Sequence, residues 1–71
     1  MAPKFEIRAY DRTGKLTGSM LTRMTEDAAR AACAEILRID DRTTYIELYH
    51  YVPNMDVTQE TPIIILPELP W

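Results

Sequence analysis

The stretch that decides the fold is residues 26–39, EDAARAACAEILRI, because it has the clearest helical period of the chain. Thr25 before it is a suitable N-cap, and Glu26 and Asp27 place negative charge at the positive end of the helix dipole. The apolar side chains recur at helical spacing along one stripe: Ala29, Ala32, Cys33, Ile36 and Ile39. The pattern predicts an amphipathic helix that ends at about residue 39, and its alanines allow a close approach to a sheet.

Before this helix, the sequence predicts a strand and a tight turn. Residues 4–10, KFEIRAY, alternate between apolar and polar side chains, which is the period of a half-buried strand. Asp11 and Gly14 then have the spacing of a type I turn closed by a glycine in the left-handed region. We therefore expect the chain to reverse direction at residues 11–15.

The return strand of this hairpin is predicted at residues 15–24, with a weaker pattern. Leu16, Gly18 and Met20 share one face, and Leu21 belongs to the other. A glycine inside a strand marks a bulge or a close backbone approach. The sequence therefore predicts a hairpin with an irregularity near Gly18.

After the helix, residues 43–52, TTYIELYHYV, are rich in β-branched and aromatic residues and predict a third strand. Residues 54–60 are polar and predict a loop or an irregular hairpin. Residues 62–66 predict a fourth short strand, whose flanking prolines suit the edge of a sheet. The prolines in residues 67–71 predict an extended, proline-rich C-terminal tail.

The elements follow the order strand, strand, helix, strand, strand. The simplest package for this order is a two-layer α+β domain, in which an antiparallel sheet of about four strands carries one helix on one face. Because 71 residues have no room for two independent cores, we expect a single domain over residues 1–71.

One helix covers one face of a sheet, so the opposite face is expected to be open. All four tyrosines fall on that face by strand alternation, together with one side of the last strand, either Ile63 and Ile65 or Ile64 and Leu66. Contiguous aromatic and apolar surface on a small protein is typical of an interaction site. The alternatives are that the tyrosines half-cover a solvated sheet, or that the tail folds back over them. The predicted protein-interface residues are Tyr10, Tyr45, Tyr49, Tyr51, Ile63, Ile65 and Trp71.

The composition narrows the classes of function. The net charge is −3, and residues 43–71 contain four acidic residues but no lysine or arginine. This asymmetry is compatible with a basic protein partner and argues mildly against nucleic acid. The N-terminus lacks a signal-peptide pattern, and the longest aliphatic run, residues 63–66, is far shorter than a membrane span. With a single cysteine, these features predict a cytoplasmic protein that does not contact membranes.

No motif with catalytic chemistry is evident. Asp40 and Asp41 are interpreted as turn formers at the helix end, and His50 as a core-facing side chain of the third strand. A nucleophilic pair of Cys33 and His50 is conceivable, but a thiol among helix alanines is normally inert. One cysteine and one histidine also exclude a Cys/His zinc site built from this chain alone. We therefore expect a protein that is not an enzyme and binds neither cofactor nor metal.

Nucleic-acid binding through the first hairpin is the main alternative. Tyr10 lies among four basic residues that would cluster on its outer face and turn: Lys4, Arg8, Arg12 and Lys15. Such a hairpin can hold a phosphate backbone or stack a base. Against this, the pI of about 4.9 is far from that of a basic binding domain. Binding to phosphates would weaken steeply with salt, whereas an apolar protein interface would not.

The arrangement of residues 4–66, a hairpin followed by the helix entry TEDAARAA and the strand YIELYHYV, resembles that of several small phage-encoded proteins. These include some anti-CRISPR inhibitors, which are compact, often acidic strand-strand-helix-strand-strand chains. The resemblance covers architecture only, and no family residue carries over to this chain. It implies an inhibitor in the host cytoplasm that occludes a surface of a larger nucleoprotein effector.

These observations predict a protein-binding domain that acts by stoichiometric occlusion or assembly. The partner would be another protein or a second copy of the chain, as in a homodimer. A structural subunit of a larger assembly is a further alternative.

Overall fold

The structure is a computed structural model that describes residues 2–67. It confirms the α+β class, with an antiparallel sheet and one helix on one of its faces. The predicted tail beyond Pro67, including Trp71, lies outside the described residues. The elements in chain order are β1 (Phe5–Tyr10), β2 (Leu16–Thr22), α1 (Glu26–Ile39), β3 (Tyr45–Val52), β4 (Val57–Thr58) and β5 (Ile64–Leu66).

Helix α1 begins and ends where the sequence predicts. The Thr25 hydroxyl accepts a hydrogen bond from the Ala28 N–H at 3.2 Å, which satisfies one of the free donors of the first turn. At the other end, the Asp40 N–H donates to the Ile36 carbonyl at 2.9 Å. The Asp40 carboxylate also accepts from the Arg42 N–H and the Thr43 hydroxyl. Asp40 therefore serves as the turn former that the sequence indicates.

The turn between β1 and β2 also agrees with the prediction. The Gly14 N–H donates to the Asp11 carbonyl at 3.0 Å, and Gly14 has φ +84°, a region that favours glycine. The Asp11 carboxylate accepts hydrogen bonds from the backbone N–H groups of Thr13 and Lys15. The Thr13 hydroxyl also donates to this carboxylate, and that bond, followed by the backbone bonds, holds the pKa of Asp11 below its usual range.

Strand β3 organises the rest of the sheet. It pairs with β1 along one edge, and β1 pairs in turn with β2, so the hairpin lies on one side of β3. Its other edge is shared: β4 pairs with the C-terminal end of β3, and β5 pairs with its N-terminal half. Strand β4 lies in residues 54–60, for which the sequence predicts a loop or an irregular hairpin. The structure shows the hairpin, which adds a fifth, two-residue strand.

The core lies between α1 and the sheet. Helix α1 contacts β1, β3 and β5, and its buried side chains Ala29 and Cys33 are small, which allows the helix to lie close to the strands. The core cluster consists of Phe5, Ile7, Ala29, Cys33, Ile46 and Leu48. In the part of the chain that the structure describes, no helix is long and apolar enough to cross a membrane.

Two core predictions are wrong. Ile39 is 64% exposed, and Leu37 packs against the core cluster instead. Residues two apart lie about 200° apart around a helix, so a helix that buries Leu37 turns Ile39 outward. His50 lies on the predicted helix side of the sheet, opposite Phe5, but its side chain is exposed rather than part of the core.

We predict that Leu48→Ala strongly destabilises the fold, whereas Ile39→Ala does not. Leu48 is fully buried, and its truncation is expected to cost about 2–5 kcal/mol. A core of this size supplies only about 3–5 kcal/mol in total, so the variant should be largely unfolded at room temperature. Ile39→Ala should change the free energy of unfolding by less than about 0.5 kcal/mol. Urea denaturation followed by circular dichroism measures both, and similar losses would contradict the described packing.

Candidate protein-binding surface

The candidate surface lies on the face of the sheet opposite α1, which we call the open face. The strand register sets its composition, because directly paired residues point to the same side. Glu6 pairs with Tyr49, Arg8 with Glu47, and Tyr10 with Tyr45. Tyr51 lies two residues beyond Tyr49 on β3 and shares its side. All four tyrosines therefore belong to the open face, as the sequence predicts.

An aromatic pair lies near the hairpin-turn end of the open face. The rings of Tyr10 and Tyr45 stack at 4.6 Å between centroids, with an angle of 12° between their planes. Leu16 pairs with Tyr10 on one side and is 48% exposed. On the other side, Tyr45 shares a cavity of about 340 Å³ with Thr44, Ile65 and Pro67.

These side chains form a continuous apolar band, which we call the tyrosine row: Leu16, Tyr10, Tyr45, Ile65 and Pro67. The band crosses four strands, from β2 through β1 and β3 to β5. Because neighbouring strands lie about 4.8 Å apart, the row is roughly 14 Å wide. An exposed apolar and aromatic band of this kind is typical of contact with a protein surface.

The middle of the open face is a polar network built around Tyr49. The Arg8 guanidinium lies over the Tyr49 ring, 4.5 Å from its centroid. Arg8 also forms an ion pair with Glu6 at 2.6 Å, and Glu6 accepts a hydrogen bond from the Thr58 hydroxyl. The Tyr49 hydroxyl donates to the Glu47 carboxylate at 2.9 Å. The chain thus covers Tyr49 with its own residues and leaves it 6% exposed.

This burial changes the protonation of the network. Burial, and then the hydrogen bond to Glu47, raises the pKa of Tyr49 to about 12. Burial is also the first cause that raises the pKa of Tyr10, followed by Glu47. The hydrogen bond from Arg8 lowers the pKa of Glu6. At neutral pH Tyr10 and Tyr49 are therefore neutral beside the ion pair of Arg8 and Glu6.

The tyrosines thus have different roles. Tyr10 and Tyr45 are partly exposed and offer ring surface, whereas Tyr49 supports the face from within. The Tyr51 hydroxyl donates to the Asp56 carboxylate, and Asp56 has φ +51° in the turn between β3 and β4. Tyr51 therefore holds this turn in place. The sequence pattern predicts the same role for all four tyrosines, because it does not show which side chains of neighbouring strands cover each ring.

The last strand also separates two predicted residues. Ile65 pairs with Glu47 on the open face and is 44% exposed. Ile63 packs against the core cluster, and its N–H donates to the Leu48 carbonyl at 2.7 Å. The prediction that Ile63 and Ile65 share a face is wrong, because alternation holds only within a strand and β5 begins at Ile64. Trp71, the remaining predicted residue, lies outside the described part of the chain.

Leu16 is a surface residue that the sequence pattern misplaces. Simple alternation puts it on the face of Gly18 and Met20. The register shifts by one residue between Ala9 and Tyr10, so Ala9 pairs with Gly18 but Tyr10 pairs with Leu16. This bulge turns Leu16 to the open face. Gly18 is the sequence signal for the irregularity, but it does not show which side chain changes face.

The alternative nucleic-acid residues do not form a cluster. Lys4 precedes β1, whereas Arg12 and Lys15 lie in the turn at the other end of that strand, roughly 20 Å away by strand geometry. Arg8 lies between them but is held by Glu6 and Tyr49. At the turn, Arg12 lines a cavity of about 410 Å³ whose other charged lining residues are Asp11, Asp41 and Arg42. The charges there are mixed, so the structure offers no basic stripe for a phosphate backbone.

Among residues 2–67, no group of three or more His, Cys, Asp or Glu side chains could hold a metal ion. Cys33 is completely buried, and burial raises the pKa of its thiol. The thiolate that a nucleophile requires is therefore disfavoured.

Comparisons with protein families, with curated proteins and with solved structures found no match for this chain.

We predict that Tyr49 makes stability depend on pH in the alkaline range. The folded chain favours the neutral ring, so this contribution is complete below pH 10 and is lost as pH rises towards about 12. Thermal unfolding across this range should show a steeper fall in the melting temperature for the wild type than for Tyr49→Phe. Absorbance of tyrosinate should show that Tyr49→Phe removes the step near pH 12.

Tyr51→Phe serves as the matched control, because it removes a hydroxyl from the same strand outside the Tyr49 network. It should leave the step near pH 12 in place. A step that persists in Tyr49→Phe and disappears in Tyr51→Phe would show that the network is assigned to the wrong residue.

Proposed function

We propose that this chain is a small protein-binding domain that covers a surface of a partner protein with its open face, without turnover. The observation that carries the proposal is the tyrosine row. Stacked Tyr10 and Tyr45 lie between Leu16 and Ile65, which are each nearly half exposed, on a sheet face that no helix covers. Contiguous apolar and aromatic surface of this kind is typical of interaction sites.

The geometry of the row favours binding because little has to be ordered. The Tyr10 and Tyr45 rings already hold each other in place by stacking. Arg8, Glu6 and Tyr49 brace the neighbouring part of the face. Side chains that are fixed before association lose less conformational entropy when the partner arrives. Each tyrosine also keeps a hydroxyl that can bond to the partner at the edge of the apolar contact.

The charge of the chain suggests the chemistry of that partner. The segment that supplies Tyr45, Ile65 and Pro67 belongs to residues 43–71, which hold four acidic residues and no basic one. We infer a partner with an apolar patch surrounded by lysines and arginines, since complementary charge speeds association. Nucleoprotein complexes have such basic surfaces where they hold nucleic acid. This is the class of target that the resemblance to phage-encoded inhibitors implies.

The decisive experiment compares three variants with the same type of substitution. Ile65→Glu and Leu16→Glu each place a charge in the tyrosine row. Met55→Glu places one in the turn between β3 and β4, where Met55 is 70% exposed. Each variant, checked for folding by circular dichroism, is used as bait in a lysate of the organism that encodes the chain. A protein captured by the wild type should bind the row variants about tenfold more weakly or worse, and Met55→Glu normally.

Two outcomes would contradict the proposal. Equal binding by all variants would show that the partner does not contact the row. Failure of the wild type to enrich any protein over an unfolded Leu48→Ala bait would contradict a protein-binding function. The salt dependence of binding distinguishes a protein partner from nucleic acid. Binding through phosphate contacts weakens steeply between low and moderate salt.

A truncated chain that ends at Pro67 tests the contribution of Trp71. We propose that Trp71 adds to the same interface, because tryptophan is enriched among the residues that dominate binding energy. Truncation should then weaken partner binding while leaving the circular dichroism spectrum and the melting temperature of the fold nearly unchanged. Unaltered affinity would show that Trp71 does not contribute to the interface. It would not contradict the proposed role of the tyrosine row.

A further inference from the structure

Strand β2 is a second surface whose properties the tyrosine row does not explain. It lies at the end of the sheet and, among residues 2–67, pairs with β1 alone. Six of its seven residues are exposed. In an antiparallel strand, alternate N–H and C=O groups point away from the paired neighbour, so half of those on β2 face outward without a strand partner. Such an edge is a template for a further strand.

The sequence of β2 lacks most features that protect an edge. Leu16–Thr22, LTGSMLT, contains no charged residue and no proline. It does contain one bulge, but the register shift lies at its beginning, and Gly18–Thr22 pairs regularly with β1. Leu21 on the open face and Met20 on the helix side are both more than 40% exposed. The edge is therefore apolar on both faces along its regular part.

We propose that the regular part of β2 pairs antiparallel with the same strand of a second copy of this chain, with Met20 opposite Met20 at the twofold axis. In this register, Gly18 lies opposite the Thr22 of the second copy, and Ser19 lies opposite its Leu21. Every pair away from the axis thus joins a small residue to a larger one.

Gly18 leaves the space that this register requires. A side chain built there would meet no atom within 4 Å on its own chain. Beside it lies a shallow cavity of about 230 Å³, lined by Ile7, Ala9, Gly18, Ser19, Met20 and Ile36. The Met20 of the second copy is a diagonal neighbour of Gly18 across the new strand pair, and its flexible side chain can reach this cavity. The second copy therefore fills a gap that α1 leaves open.

The charges next to β2 agree with this register. Lys15 and Arg23 flank the strand at its two ends. With Met20 on the axis, Arg23 lies opposite the Thr17 of the second copy rather than opposite a lysine. Pairing centred on Ser19 would instead place Lys15 opposite Arg23 at both ends, which is unfavourable. Charge therefore disfavours the register centred on Ser19 and is compatible with the one centred on Met20.

Pairing at this edge has a consequence for the open face. A twofold axis perpendicular to the sheet keeps both helices on one side and both open faces on the other. The dimer then presents two tyrosine rows on one surface. Two linked sites can bind a repetitive or dimeric partner more tightly than either site alone. The dimer itself does not depend on the proposed partner of the row.

The test is the oligomeric state of the full chain in solution. Strand pairing over so short a segment buries less than the roughly 800 Å² per partner of a standard stable interface, so we expect dissociation constants in the micromolar to millimolar range. Sedimentation of the wild type up to about 1 mM should show a dimer that dissociates on dilution. Met20→Lys places two like charges at the axis and should weaken the dimer at least tenfold, whereas Met55→Lys should not.

A cross-linking measurement fixes the register independently. Met20→Cys places two thiols opposite each other at the axis, and a mild oxidant should join them as a disulfide-linked dimer. Ser19→Cys is the matched control, because in this register position 19 faces position 21 of the second copy. It should cross-link at least tenfold more slowly. The native Cys33 is buried and should not interfere.

Three results would overturn the proposal. One is a wild type that stays monomeric at about 1 mM, and another is a dimer that tolerates Met20→Lys. The third is a dimer that Ile65→Glu abolishes while Met20→Lys leaves it intact, since self-association would then use the tyrosine row. If Ile65→Glu loses the captured partner but still forms the dimer, the result supports the proposed function of the tyrosine row and agrees with a dimer formed through β2.

Discussion

The rest of the structure depends on the contact between α1 and the sheet. Ala29 and Cys33 are the fully buried residues of the helix, and their small side chains bring α1 close to β1, β3 and β5. A helix is only about 10–12 Å wide, whereas the outer two of four neighbouring strands lie roughly 14 Å apart. One helix in this position buries the middle of one sheet face. Among residues 2–67, it leaves two surfaces that no helix covers: the opposite face and the edge at β2.

The open face compensates in part for the missing second layer. Arg8 and Glu6 of β1 form an ion pair. The Arg8 guanidinium also lies over the Tyr49 ring and covers it. The Tyr49 hydroxyl donates to the Glu47 carboxylate, and no buried side-chain nitrogen or oxygen in the described residues lacks a hydrogen-bond partner. A charged cover of this kind hides an aromatic ring from water without making the surface apolar. The tyrosine row lies beyond this cover, so its exposure is a local property rather than one of the entire face.

The sequence predicts what depends on local pattern and misses what depends on pairing. The bounds of α1, the turn at Gly14 and the placement of the tyrosines follow from periodicity, capping and turn chemistry, which act over a few residues. The strand order could not be predicted from the sequence. The contact between Arg8 and the Tyr49 ring depends on that order, so it could not be predicted either. Leu16 changes face because β2 contains one extra residue, and a one-residue shift reverses every side chain beyond it. Ile63 departs from the predicted alternation because β5 begins at Ile64 and not at Pro62.

The same bulge connects the two proposed surfaces. It turns Leu16 towards the tyrosine row and leaves Gly18–Thr22 as a regular edge. The core cluster contains no residue of β2, so polar side chains at Leu16, Met20 and Leu21 would leave the core unchanged and make the chain more soluble. The fold alone therefore does not explain their apolar character. The proposed contacts with a partner at the row and with a second copy at the edge would explain it, and β2 contributes to both.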